Sequence, residues 1–147
     1  MRVLDNILDP ATGDEEPLVR NESGYPFNPA YSPNGKKIAV YWNRVPRAGL
    51  WVISLVDNSE TLLRAGRRAR PAGWSPDGSS LYAYAGTDML SIPVEPSGRD
   101  APHTILTAPG DIASASVSAD GKKLVYSAAE KKSDVWVVNK FDPANRK

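Results

Sequence analysis

The chain has 147 residues, with 18 Lys plus Arg against 17 Asp plus Glu and a net charge of +1. That balance excludes the basic footprint of a nucleic-acid binder or a polybasic membrane-surface protein, and 41% hydrophobic residues exclude wholesale disorder. With no cysteine and one histidine, His103, disulfides and thiolate chemistry are excluded, and a His-rich metal site or a Ser/His/Asp triad is not expected.

In chain order, Met1 to Pro10 lacks the apolar stretch of a signal peptide. No apolar run reaches the roughly 18 residues of a membrane span, so no membrane insertion is expected. Residues 2–8 read as a strand, Asp9 to Gly13 as a turn, and Pro17-Leu18-Val19-Arg20 as a second strand. A repeat then begins. Ser32-Pro33-Asn34-Gly35 recurs as Ser75-Pro76-Asp77-Gly78 and as Ser118-Ala119-Asp120-Gly121, at intervals of 43 residues. Tyr31, Trp74 and Val117 precede these turns in phase; Ile38, Leu81 and Leu124, and then Val40, Ala83 and Tyr126, follow them. Val19, Leu62 and Ile105 keep the same interval.

A period of about 40–45 residues with hairpin turns reads as four short strands per unit, one propeller blade. Asn or Asp followed by Gly is a hairpin signal, because a tight turn between twisted strands needs positive φ, and Pro presets its entry. Innermost strands are predicted over 28–32, 71–75 and 114–118, and second strands over 36–42, 79–85 and 122–128. Third strands fall at Leu50 to Leu55, Met89 to Val94 and Val135 to Val138, and short fourth strands at Thr61 to Leu63 and Thr104 to Leu106. Pro93 weakens its strand by removing a ladder donor.

The runs Tyr31-Ser32-Pro33-Asn34-Gly35-Lys36-Lys37-Ile38-Ala39 and Trp74-Ser75-Pro76-Asp77-Gly78-Ser79-Ser80-Leu81-Tyr82 resemble the WD-like repeats of TolB-type β-propellers, and so do the third-strand patterns Leu50-Trp51-Val52-Ile53 and Asp134-Val135-Trp136-Val137-Val138. The resemblance implies an all-β propeller of three four-stranded blades in one domain spanning 1–147. Residues 1–27 form N-terminal strands that complete a blade, 28–70 blade 1, 71–113 blade 2, and 114–147 a blade 3 lacking its outermost strand. Such propellers serve as interaction proteins and as gating or accessory domains. Ala119 for proline and the missing Trp beside Met89-Leu90 depart from the pattern.

Propellers carry four to eight blades, and open sheet edges associate. Three blades are therefore expected to close into a six-bladed homodimer, with Leu18-Val19 of one chain adding a strand beside Val135 and Val137 of its partner. The alternative is a fragment of a longer propeller with no activity of its own.

Chemistry is sparse. Each Ser-Pro-Asp-Gly turn holds one acid, too few for calcium's six to eight oxygens, and reads as turn chemistry. Trp51, Trp74 and Trp136 read as core between blades; Trp42 is open between core and surface. His103 reads as a surface histidine. Neither a converging carboxylate pair, a Gly-x-Ser-x-Gly elbow nor a phosphate loop is present. Arg64, Arg67, Arg68 and Arg70 fall between one blade and the next, and Arg44 and Arg47 between second and third strands, which places both groups on one loop face around a channel mouth. Tyr25 and Asn28 stand near that mouth, and Asp88, Asp111, Glu130 and Asp134 share the face. Guanidinium groups so gathered favour carboxylates, phosphates or an acidic peptide. The expected function is non-enzymatic: a self-assembling interaction module binding a protein or peptide on its loop face, without metal or cofactor. The alternative is a small-ligand module taking a sugar or an anion. The compartment is not legible, although the resemblance leans towards bacterial envelope proteins.

Overall fold

A computed structural model describes residues 6–19, 23–66, 69–95 and 101–130. Their secondary structure is all β, in twelve strands. β1 (Asn6–Leu8) and β2 (Glu15–Pro17) form an antiparallel hairpin. β3 (Pro26–Tyr31), β4 (Lys37–Trp42), β5 (Gly49–Ser54) and β6 (Glu60–Ala65) form a four-stranded sheet in sequence order, blade 1. β7 (Arg70–Trp74), β8 (Ser80–Ala85), β9 (Asp88–Pro93) and β10 (His103–Thr107) repeat it as blade 2. β11 (Asp111–Val117) and β12 (Leu124–Ala129) begin a third sheet, in which the described residues supply two strands. The expected third strand at Val135 to Val138, and with it Trp136, lies outside the described residues. Pro93 is accommodated because it ends β9, where Val94 takes over and donates to Ser79 O at 3.0 Å.

The three turns are built alike. Gly35, Gly78 and Gly121 donate their N–H to the carbonyls of Ser32, Ser75 and Ser118 at 2.8–2.9 Å. The serine hydroxyls donate to Asn34, Asp77 and Asp120, and accept from the backbone N–H of Lys37, Ser80 and Lys123. Positive φ falls on the glycine, not on the residue before it. Ala119 changes none of this, because proline contributes conformational restriction rather than a bond.

These bonds favour the ionised acids. Asp77 is lowered from 3.8 to about 2 by the hydroxyl of Ser75 and then by Ser79; Asp57, in the β5–β6 turn, falls to about 2 through Ser54 and Ser59; Asp120 is lowered mainly by Ser118. A depressed folded value stabilises the fold above the unfolded pKa of about 4 and loses that contribution as pH falls towards 2. The thermal midpoint should therefore fall more steeply between pH 4 and 2 in the native chain than in a D57N/D77N/D120N variant. Asn34 already performs the same role in blade 1, so that variant should fold. Equal slopes would contradict the assignment.

Blades pack face to face. Alternation along β4 sends Ala39 towards blade 2 and Ile38, Val40 and Trp42 the other way. Between blades 1 and 2 lie Ala39, Leu50, Val52, Trp74, Leu81 and Ala83. Tyr84, Met89 and Ile112 join blade 2 to the third sheet. On the front of blade 1, Ile38, Val40, Trp42, Trp51 and Ile53 receive Ile7, Leu18 and Val19 from the hairpin region. The second N-terminal strand ends at Pro17, where the sequence places its start. Trp42, left open by the sequence, is fully buried. Tyr31, the phase-mate of Trp74, is 53% exposed against 6% for Trp74. Trp74 has blade 1 to lie on, and its Nε1 donates to Ala30 O at 2.9 Å; Tyr31 has no inner strand in front of it among the described residues.

Candidate functional site

The loops after the second and fourth strands emerge together, as the propeller geometry requires. Gly66 N donates to Ala48 O, Ala108 N to Thr87 O and Ile112 N to Gly86 O, each at 2.8 Å. Residues 23–25 join this face: Tyr25 N donates to Asn43 Oδ1 at 2.6 Å, and Ser23 Oγ to Val45 O at 3.4 Å. Gly24, at φ +86°, makes that approach possible, since a Cβ there would meet Asn43 Oδ1 and the Arg44 backbone.

The predicted arginines divide into two kinds. Arg44 is built into the sheet. Its guanidinium lies 3.7 Å from the Trp51 ring centroid and 4.3 Å from that of Trp42, and Nη1 meets Glu60 Oε2 at 2.7 Å. Its side chain is 16% exposed, and these contacts tie it to the strands of blade 1. Arg47 and Arg70 are exposed on the loop face, and Arg47 lends its carbonyl to Trp51 Nε1 at 3.2 Å. Arg64, near the end of β6, is also exposed. Arg67 and Arg68 lie outside the described residues. Tyr25 is 37% exposed. Asn28 is exposed at φ +53°, in the bulge that interrupts β3–β4 pairing between Phe27 and Ala30. Acids share the face: Asp88 accepts from Thr107 Oγ1 at 2.8 Å, and Asp111 and Glu130 are exposed.

Sequence reasoning missed two apolar residues here. Phe27 is 44% exposed and stacks on Tyr41 with centroids 6.2 Å apart, and Val45 is 79% exposed. Their signal was a large apolar side chain just outside the alternating part of a strand. Of the predicted oligomer edge, Leu18 and Val19 lie against the front of blade 1, whereas Val135 and Val137 lie outside the described residues. His103 is exposed at the start of the outer strand β10. Among the described residues no three His, Cys, Asp or Glu side chains gather as a metal site would require, and no helix is long and apolar enough to cross a membrane.

No family model and no curated protein matches the chain. Solved structures do. TolB from Acinetobacter baumannii aligns with TM-score 0.70 at 18% identity, over 88% of this chain and 33% of its own. A TolB-like protein of Agrobacterium tumefaciens aligns with TM-score 0.68 at 20% identity, over 82% of this chain and 44% of its own. A gluconolactonase from Xanthomonas campestris aligns with TM-score 0.61 at 15% identity, over 84% and 40%. The chain thus spans between a third and just under half the length of these proteins. The likeness establishes a propeller-type fold of the TolB kind, a fold carried by an enzyme as well.

Proposed function

We propose that this chain is a non-enzymatic TolB-like β-propeller module that closes into a six-bladed homodimer and binds a protein or peptide over its loop face. The observation that carries the reading is the composition of that face. Tyr25, Phe27 and Val45 present apolar surface on a rigid sheet scaffold, and Arg47 and Arg70 stand exposed on the same side. Aromatic anchors with a polar rim are the anatomy of a protein interface, and arginine rims select carboxylates. An acidic peptide containing aromatic residues is the ligand that matches both features.

The test uses a fluorescein-labelled copolymer of Glu and Tyr, followed by anisotropy at low salt. Binding should weaken roughly tenfold in R47E/R70E and again in F27A, with the first effect shrinking as salt rises. No binding by the native chain, or turnover of a lactone by it, would overturn the reading.

A further inference from the structure

Neighbouring blades interlock through a small residue and a bulky one. Trp74 of blade 2 lies on Ala30 of blade 1 through its 2.9 Å indole bond. One repeat later, Val117 of the third sheet packs on Gly73, where an added Cβ would stand 3.2 Å from the valine. The turns interlock in the same sense: a Cβ on Gly78 would touch Pro33, and one on Gly121 would collide with Pro76. On the strand faces, Ala39 of blade 1 shares a cluster with Leu81 and Ala83 of blade 2.

Each interlock runs from one blade to the blade before it, so each leaves one half unused at either end of the stack. At the front, Tyr31 occupies the Trp74 position and is 53% exposed, and Gly35 has nothing within 4 Å of its Cβ position. At the back, Ser116 and Ala119 stand one repeat after Gly73 and Pro76, and Val125, two repeats after Ala39, is 69% exposed. A cleft of about 290 Å³ opens at the front, lined by Asn6, Leu18, Tyr31, Ile38 and Val40. It lies on the inner side of the β1–β2 hairpin, where the two inner strands of a preceding blade would stand.

We infer that the occupant of this cleft is the β11–β12 sheet of a second copy of the chain, with Val125 turned towards the front of blade 1 and Ser116 beneath Tyr31. The seam continues the blade-to-blade packing already present and is the same twice about a two-fold axis. This inference rests on the proposed homodimer and specifies its contact.

The native chain has no cysteine, so introduced cysteines report cleanly. Y31C/S116C should give a covalent dimer under mild oxidation, and neither single variant should. The two positions lie on opposite faces of the blade stack, so a bridge within one chain cannot form. As a second arm, V125D should reduce the mass in sedimentation equilibrium from twice 15.9 kDa to 15.9 kDa while preserving the β-sheet circular dichroism. A native dimer that does not cross-link and is unaffected by V125D would overturn the seam but leave dimerisation standing. A folded native monomer would overturn both, and would give the cleft to another segment or another protein.

Discussion

Trp74→Ala should lower the unfolding free energy by about 3–5 kcal/mol, the cost of truncating a buried tryptophan. Trp74 is 6% exposed and belongs to the cluster shared by blades 1 and 2, so its loss opens a cavity at the joint of two sheets. Neither sheet can close that cavity without shifting against the other, because backbone pairing fixes each of them. Removing the indole also leaves Ala30 O without the donor that Nε1 provides. Trp74→Phe retains most of the apolar area and should cost about 1–2 kcal/mol, the hydrogen bond plus a small void. Urea unfolding followed by circular dichroism checks both values. A loss below about 1 kcal/mol for the alanine variant would mean that the two blades are not held together at this joint. Against a total stability of about 5–15 kcal/mol for a domain, the expected loss removes a large share.

Arg44→Ala should cost about 1–3 kcal/mol and should leave peptide binding by the folded fraction nearly unchanged. The guanidinium is held over two indole rings, and its partner Glu60 is 27% exposed. Deleting it removes a cation from over two ring faces and leaves Glu60, at an exposed position of β6, without its 2.7 Å ion-pair partner. It also uncovers the Trp42 and Trp51 rings, which meet edge to face with centroids 6.1 Å apart. Lysine cannot lie flat across both rings, so Arg44→Lys should fall between native and alanine. Glu60→Gln keeps a hydrogen-bond acceptor and should be milder than Arg44→Ala. Thermal melts together with the anisotropy assay separate the roles. If Arg44→Ala changed stability by less than about 0.5 kcal/mol and abolished peptide binding, Arg44 would belong to the recognition surface.

Arg44 and Arg47 show where sequence reading reaches its limit. Both are arginines in one loop, three residues apart, and that loop meets the end of β6 where Gly66 N donates to Ala48 O. One is sandwiched by aromatic rings and the other is exposed. Periodicity gives the position of a loop but not the direction of a long side chain within it. Trp42 illustrates the same limit, being fully buried because the hairpin region and Trp51 cover it from another part of the chain.

What the residues determined unaided was whatever is decided within a few positions. The Ser-x-Asn/Asp-Gly turn closes through bonds spanning at most five residues, and a period of two along the flanking strands chooses which side chains share a face. Three such turns at one interval imply sheets that repeat. What the tertiary structure alone decided was the fate of equivalent residues in different surroundings. Trp74 and Tyr31 occupy the same place in the repeat, yet one is buried and the other exposed, because burial is set by whichever sheet stands in front. That neighbour is supplied by strands more than forty residues away in the chain, and no local pattern encodes its presence.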